Sequence, residues 1–258
     1  MRRAIVLIAV AGIVVLSTLE RAPGQARECP VPDSFHGFAP SLPKTAKALA
    51  GGREVVIAVL GGASTVGNAA GGPDLAWPAR LASALGERLP SARIEVVNLA
   101  VARQTAKQAG DRLERDVLPL KPTLVIWETG TMEAVHGTGV DEFRETMYAG
   151  IEALQAAGIE LVLMNMQFSR DTDAMIHFEP YLNAMRELAD VYDVPLFHRH
   201  GIMRYWAESG FLDLRARDRG KSRRLAAKLY DCLGRALADF VARGVPDAAP
   251  GAPSGRGR

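Results

Sequence analysis

Five short apolar segments, each followed by a stretch with helical spacing, constrain the fold of this chain most strongly. The sequence predicts strands over 55–60, 94–98, 123–128, 161–166 and 194–197. It predicts helices over 77–88, 104–118, 141–157, 180–192 and 223–241. Apolar strands that alternate with helices are typical of a parallel sheet covered on both faces. We therefore predict an α/β fold, a three-layer α/β/α sandwich around a five-stranded parallel sheet.

Length and charge narrow the classes of protein to which the chain can belong. Its 258 residues, 48% of them hydrophobic, suit one domain with a full core. A net charge of +2 is too mild to indicate a nucleic-acid partner, and three Trp with five Tyr are too few for a base-stacking surface. The sequence contains no cofactor-binding motif, so we predict neither a cofactor nor a nucleic-acid ligand.

The first 26 residues have the features of an export signal. Arg2 and Arg3 precede an unbroken apolar run over 4–16, and Gly24 and Ala26 provide small residues for cleavage after Ala26. The run is short for a membrane span, which needs about 20 residues. We predict a periplasmic or secreted protein. The alternative is an uncleaved segment that anchors the chain in the inner membrane, the only case in which we expect membrane association.

The rest of the chain divides into one domain and a tail. Residues 27–243 show no linker or internal repeat, and 244–258 are rich in Pro, Gly, Ala and Ser, which predicts a disordered C-terminal tail. The Pro-rich start of the domain, up to Ala48, is predicted to be an extended arm. The two cysteines, Cys29 and Cys232, can pair in an oxidising compartment or remain unrelated thiols. The export signal favours the disulfide.

Polar and small residues follow the predicted strands where a parallel sheet would gather them. Ser64 comes after the first strand and two glycines, Ala100 after the second strand and Gly130 after the third. The segment before the last helix, which contains Asp213, should return to the same edge. Ligands of open α/β sheets bind at this carboxyl edge.

These residues give the chain its resemblance to the SGNH/GDSL hydrolases, a family of exported esterases, lipases and carbohydrate deacetylases with a flavodoxin-like fold. GGAST resembles the nucleophile block, VVNLAVARQTA the second block and KPTLVIWETGTMEAV the third. The resemblance covers about residues 53 to 240. It implies ester hydrolysis through an acyl-serine intermediate, with Ser64 as the nucleophile and the backbone N–H groups of Ser64 and Ala100 as oxyanion donors.

Three departures from the family pattern indicate weak or lost catalysis. Ala100 stands where the family has glycine, and Met132 stands where it has an asparagine whose amide donates to the oxyanion. Losing one such donor costs about 10²- to 10³-fold in rate. The family's final D-x-x-H block is reduced to Asp213, because no histidine follows His200. Losing a member of a catalytic triad costs about 10⁴- to 10⁶-fold.

Another histidine could replace the missing base. His136, shortly after the third block, is the best-placed candidate; the others are His36, His177, His198 and His200. His198, His200 and Asp213 lack the spacing of a metal site, so we predict no metal.

A basic cluster occupies the position where the family has its histidine. It comprises Arg215, Arg217, Arg219, Lys221, Arg223 and Arg224. It is either a solvated face or an anion-binding patch. Two functions therefore remain open. The chain is a working hydrolase with an unconventional base, or a pseudoenzyme that binds a small anionic or acylated envelope molecule.

Overall fold

A five-stranded parallel sheet forms the centre of the computed structural model, which describes residues 29–35, 40–214 and 219–245. The strands in chain order are β1 (Val55–Leu60), β2 (Ile94–Asn98), β3 (Leu124–Glu128), β4 (Glu160–Met164) and β5 (Leu196–Phe197). Their order in the sheet is β2-β1-β3-β4-β5, and every neighbouring pair is parallel. The predicted fold class is confirmed.

Ten α-helices occur in the described residues. The first five are α1 (Pro43–Ala50), α2 (Ala63–Val66), α3 (Trp77–Arg88), α4 (Ala106–Gly110) and α5 (Thr131–His136). The others are α6 (Val140–Ala156), α7 (Arg170–Met175), α8 (Glu179–Tyr192), α9 (Arg199–Glu208) and α10 (Arg219–Arg243).

Two hydrophobic cores cover the two faces of the sheet. One contains Trp77 of α3, Trp206 of α9 and Phe240 of α10, and the other contains Trp127 of β3 and Phe143 of α6. The central strands β1, β3 and β4 are largely apolar because both of their faces are buried, whereas the edge strand β2 is only partly buried and contains Glu95. Helices α3 and α10 lie together on one face, whereas α6 and α8 lie on the other.

Helix α1 occupies part of the segment that the prolines predict to be an extended arm, so that prediction was wrong beyond residue 42. Pro43 stands in the first turn, where its missing N–H costs nothing. The carboxylate of Glu160, at the start of β4, accepts hydrogen bonds from the backbone N–H groups of Lys44 and Thr45. A partner more than 100 residues away thus caps this helix, and no local pattern could indicate it.

Several other segments depart from the predicted elements: α2, α5 and α7 were not predicted, and β5 is shorter than the predicted strand. The predicted helix over 104–118 is broken into α4, a π-helical turn (Leu113–Val117) and a 3-10 turn (Leu118–Leu120). Helix α9 was missed, because its buried face includes the polar residues Arg199 and His200.

The C-terminal boundary of the domain lies slightly beyond residue 243. The backbone N–H of Leu42 donates to the carbonyl of Gly244 at 3.2 Å, and Val245 is completely buried. These two residues, which the composition assigns to the tail, therefore pack on the domain. Residues 246–258 lie outside the described residues, as does the predicted signal over 1–26.

The predicted disulfide between Cys29 and Cys232 is present, with Cα atoms 5.3 Å apart. It ties the N-terminal arm to α10. The indole Nε1 of Trp206 also donates to the Pro30 carbonyl at 2.6 Å, so α9 holds the same arm. Within the described part of the chain, no helix is both long and apolar enough to cross a membrane.

Candidate active site

Ser64 lies on a short helix, α2, that starts three residues after β1 ends. Gly61 and Gly62 form the link, and Ser64 itself is only 8% exposed. Neither its backbone N–H nor its Oγ forms a hydrogen bond with any described residue. The N–H is one of the first donors of a helix, which have no acceptor inside the helix. In the described residues, the turn therefore holds a backbone N–H without an acceptor and a hydroxyl without a base, both of Ser64.

The carboxylate of Glu128, the last residue of β3, holds this turn in place. Its Oε2 accepts one hydrogen bond from the Gly62 N–H and another from Thr65 Oγ1, both at 2.8 Å. Thr65 Oγ1 also accepts from the Trp77 indole at 3.1 Å, which fixes that hydroxyl. In the described part of the chain, the buried Thr65 hydroxyl thus has a carboxylate partner, whereas the Ser64 hydroxyl has none.

The absence of a side chain at Gly61 permits this arrangement. A methyl group there would lie 2.4 Å from Thr65 Oγ1 and 2.7 Å from Glu128 Oε2, far inside van der Waals contact. The first glycine after β1 therefore leaves room for the carboxylate beneath the turn.

Arg199 lies beside the same carboxylate and was not singled out from the sequence. Its side chain is completely buried, and its Nη1 lies 3.4 Å from Glu128 Oε1. Burial lowers the pKa of Arg199, and the negative charge of Glu128 opposes that effect. The one signal in the sequence is an arginine two residues after the end of a short apolar strand.

The second block contributes Asn98 and Ala100 at the end of β2. Asn98 Nδ2 donates to the Thr65 carbonyl at 2.8 Å, and Asn98 Oδ1 accepts from the Ala100 N–H at 3.1 Å. The Ala100 N–H, to which the resemblance assigns an oxyanion role, is therefore already occupied by the neighbouring side chain.

The third block begins α5 at the end of β3. Gly130 has a φ of 93°, and a methyl group there would lie 2.5 Å from Met166 Cε. Met132 is partly buried, and its thioether cannot donate a hydrogen bond. Glu133 is buried and accepts from the N–H groups of Gly130 and Ala106. Burial raises the pKa of Glu133, the backbone donors oppose this rise, and the charge of Glu128 adds to it.

None of the four described histidines forms a hydrogen bond with Ser64. His136 at the end of α5 and His177 before α8 are exposed. His198 and His200 both follow the end of β5. Strands β3 and β4 separate β5 from β1, a distance of about 14 Å at the usual strand spacing. His36 lies outside the described residues.

His200 has partners of its own on the β5 side of the edge. Its Nε2 lies 3.0 Å from Asp173 Oδ1, and its backbone N–H donates to Asn165 Oδ1 at 2.8 Å. Burial lowers the pKa of both His198 and His200. No group of three or more His, Cys, Asp and Glu side chains that could hold a metal ion occurs in the described segments.

Asp213 and the basic cluster fall only partly within the described residues. Asp213 is exposed between α9 and α10, whereas Arg215 and Arg217 lie outside the described residues and nothing is described of the Arg219 side chain. Arg223 and Arg224 are exposed in the first turns of α10. A methyl group at Gly71 would lie 3.5 Å from Arg223 Cδ, so this end of α10 lies beside the loop that follows α2.

Comparison with known proteins gives one family and several similar structures. The model of the non-GDSL lipase-like family matches residues 28–247. No curated protein matches the sequence. The fold is similar to that of a two-domain esterase, CEX, active on acetylated mannans, with 17% identity, a TM-score of 0.62 and coverage of 83% of this chain and 57% of that one.

Two further structures cover most of their own length. A catalytic mutant of the acetylxylan esterase Axe2 from Geobacillus stearothermophilus has 18% identity and a TM-score of 0.58, covering 74% of this chain and 94% of that one. The esterase EstA from Pseudoalteromonas sp. has 19% identity and a TM-score of 0.53, covering 70% and 98%. The family match and the shared fold confirm the resemblance to SGNH hydrolases.

Proposed function

Because the chain belongs to the non-GDSL lipase-like family, we propose that it is an envelope protein that binds a small acylated or anionic molecule in a cleft inherited from serine ester hydrolases. Hydrolysis in this cleft is slow or lost. One observation carries the proposal: Ser64 Oγ has no base among the described residues, and the sequence contains no histidine after His200.

The expected loss of rate is large enough to favour binding over turnover. A serine hydroxyl without a base is a weak nucleophile, and the missing base costs about 10⁴-fold or more. Met132 replaces an amide donor, which adds about 10²- to 10³-fold. The Ala100 N–H is engaged by Asn98. Together these changes would bring the rate near that of the uncatalysed reaction.

One observation favours the second candidate, a working hydrolase. The Ser64 N–H has no acceptor among the described residues, and Glu128 holds the turn rigidly from below. A preorganised N–H is what an oxyanion requires. In this case an unconventional base, His136 being our first candidate, would activate Ser64.

We expect Ser64→Ala to leave the slow release of p-nitrophenol from p-nitrophenyl acetate or butyrate unchanged, because none of the described residues activates the hydroxyl. A fluorophosphonate probe should likewise fail to label the wild type. The matched control is Ser83→Ala, which removes an exposed hydroxyl from α3. Turnover or labelling that Ser64→Ala abolishes and Ser83→Ala preserves would establish the hydrolase instead.

For the binding role, we expect Arg223→Glu with Arg224→Glu to weaken association with vesicles of phosphatidylglycerol at least about tenfold, since each basic residue near an anionic surface contributes about 1 kcal/mol. Sedimentation with vesicles measures this. Arg53→Glu with Arg93→Glu makes the same charge change near the opposite edge of the sheet and should have a smaller effect. Equal losses from both pairs, or no loss, would contradict a specific patch. Free acidic glycans as competitors would distinguish a glycan from a lipid headgroup.

An envelope location is part of the proposal. The residues before Cys29 have the pattern of an export signal. The disulfide supports this, because such bonds persist in oxidising compartments.

A further inference from the structure

A pair of opposite charges lies buried beneath the Ser64 turn. The side chain of Glu128 is 5% exposed, that of Arg199 is not exposed at all, and 3.4 Å separates Glu128 Oε1 from Arg199 Nη1. Tyr230, also buried, is close enough for the charges of Arg199 and Glu128 to act on its pKa in opposite directions. Charges removed from water are strongly unfavourable unless they are paired, so each of these two depends on the other.

The two oxygens of Glu128 have different partners. Oε2 is fully used by the turn, through Gly62 N–H and Thr65 Oγ1 on the two sides of Ser64. Oε1 faces Arg199 and forms no hydrogen bond with the turn. One carboxylate therefore joins the Ser64 turn to a cation that belongs neither to the turn nor to its neighbouring strands.

Arg199 reaches this position from the far side of the sheet. It is the first residue of α9, two residues after the end of β5, and it passes the end of β4, where Gln167 Oε1 lies 3.4 Å from its Nη2. The pair thus connects the carboxyl ends of β1, β3, β4 and β5. Arg199 Nε and Nη1 have no hydrogen-bond partner among the described residues, so its role at Glu128 is mainly electrostatic.

We propose that Glu128 and Arg199 form a positioning pair for position 64, in which Glu128 fixes the turn by hydrogen bonds and Arg199 compensates its charge. The pair sets the electrostatic environment of the Ser64 side chain. This inference goes beyond the proposed function, because it holds whether the cleft binds a ligand or hydrolyses one.

A thiol at position 64 reports on this environment without any substrate. The chain has two cysteines and both are in the disulfide, so Ser64→Cys introduces the one free thiol. The rate of its alkylation by iodoacetamide, followed against pH, gives the pKa of that thiol, because the thiolate is the reacting form.

In the Ser64→Cys background, the two charges should act in opposite directions. Glu128→Gln removes a negative charge and should lower the thiol pKa by about one unit, with about threefold faster alkylation at pH 7. Arg199→Met removes a positive charge and should slow alkylation by a similar factor. Arg199→Lys keeps the charge and should restore most of the rate. If the pair had a purely structural role, Glu128→Gln and Arg199→Met would shift the thiol pKa in the same direction.

The exposed pair Arg144 and Glu187, which joins α6 to α8, provides matched controls. Arg144→Met and Glu187→Gln make the same chemical changes and should leave the thiol pKa unchanged. Equal shifts from these controls, no shift from either buried variant, or shifts of the same sign would overturn the proposal.

Unfolding by urea tests the charge compensation separately and applies even if Arg199→Met folds poorly. Arg199→Met should lower the unfolding midpoint more than Arg144→Met does. Adding Glu128→Gln to Arg199→Met should recover more than half of that loss, since both charges are then gone. A double variant no more stable than Arg199→Met, or an Arg199→Met as stable as the wild type, would contradict the pair. None of these measurements depends on hydrolysis or ligand binding, so the proposed function can fail independently.

Discussion

The Gly234→Ala variant is expected to lose about 2–3 kcal/mol of unfolding free energy, because two helix backbones meet at this glycine. Gly234 lies in α10 where that helix packs on α3. A methyl group at this position would lie 2.5 Å from Arg80 Cβ and 2.7 Å from both Arg80 C and Leu81 N. Backbone atoms cannot move aside as a flexible side chain can, so the helices must separate. Urea unfolding followed by circular dichroism measures the loss.

Gly86 in α3 provides the matched control for this prediction. A methyl group there would meet no atom within 4 Å. Gly86→Ala should therefore gain about 0.5–1 kcal/mol, the usual difference between the two residues inside a helix. Opposite signs for the two variants are the expected result. A Gly234→Ala variant as stable as the wild type would show that the two helices can separate at little cost.

Removal of the disulfide is expected to cost about 2–5 kcal/mol, the usual range for a native bond. Cys29 and Cys232 are 203 residues apart in the sequence, so the bond closes nearly the whole domain into one loop. Cys29→Ser with Cys232→Ser should lower the urea midpoint, because the unfolded chain gains freedom and the arm is held mainly by contacts such as Trp206 to Pro30.

The reduced wild type provides the control for the serine variants. Its midpoint in dithiothreitol should match that of the double serine variant, and the reductant should not shift the variant further. A wild-type midpoint that reductant leaves unchanged, with free thiols verified by labelling, would mean that packing alone holds the arm.

The sequence alone predicted the elements whose apolar residues form a continuous run or recur at a regular spacing. β1, β2 and α3 have the predicted bounds, because continuous apolar runs and a regular apolar helix face are local signals. The same signals place Ser64 at the carboxyl edge of β1. The disulfide was also predicted, from the compartment that the N-terminal residues indicate.

The elements that sequence reasoning missed depend on distant partners. Glu160 caps α1 from the start of β4, and Arg199 is buried in α9 only because Glu128 lies nearby. From sequence alone, a charged residue is predicted to be exposed unless its partner of opposite charge is known. The engaged N–H of Ala100 was missed for a different reason: Asn98 could equally have pointed its amide elsewhere.

The span of the disulfide also bears on the order in which this protein matures. Cys29 leaves the ribosome 203 residues before Cys232, so the bond cannot form until that length of chain has been made. Cys232 lies in α10 within one of the two hydrophobic cores, so packing of that helix on the sheet fixes the sulfur to which the arm is bonded. Before Cys232 is available, Cys29 has no other thiol in this sequence to react with, and any earlier disulfide would join it to another molecule.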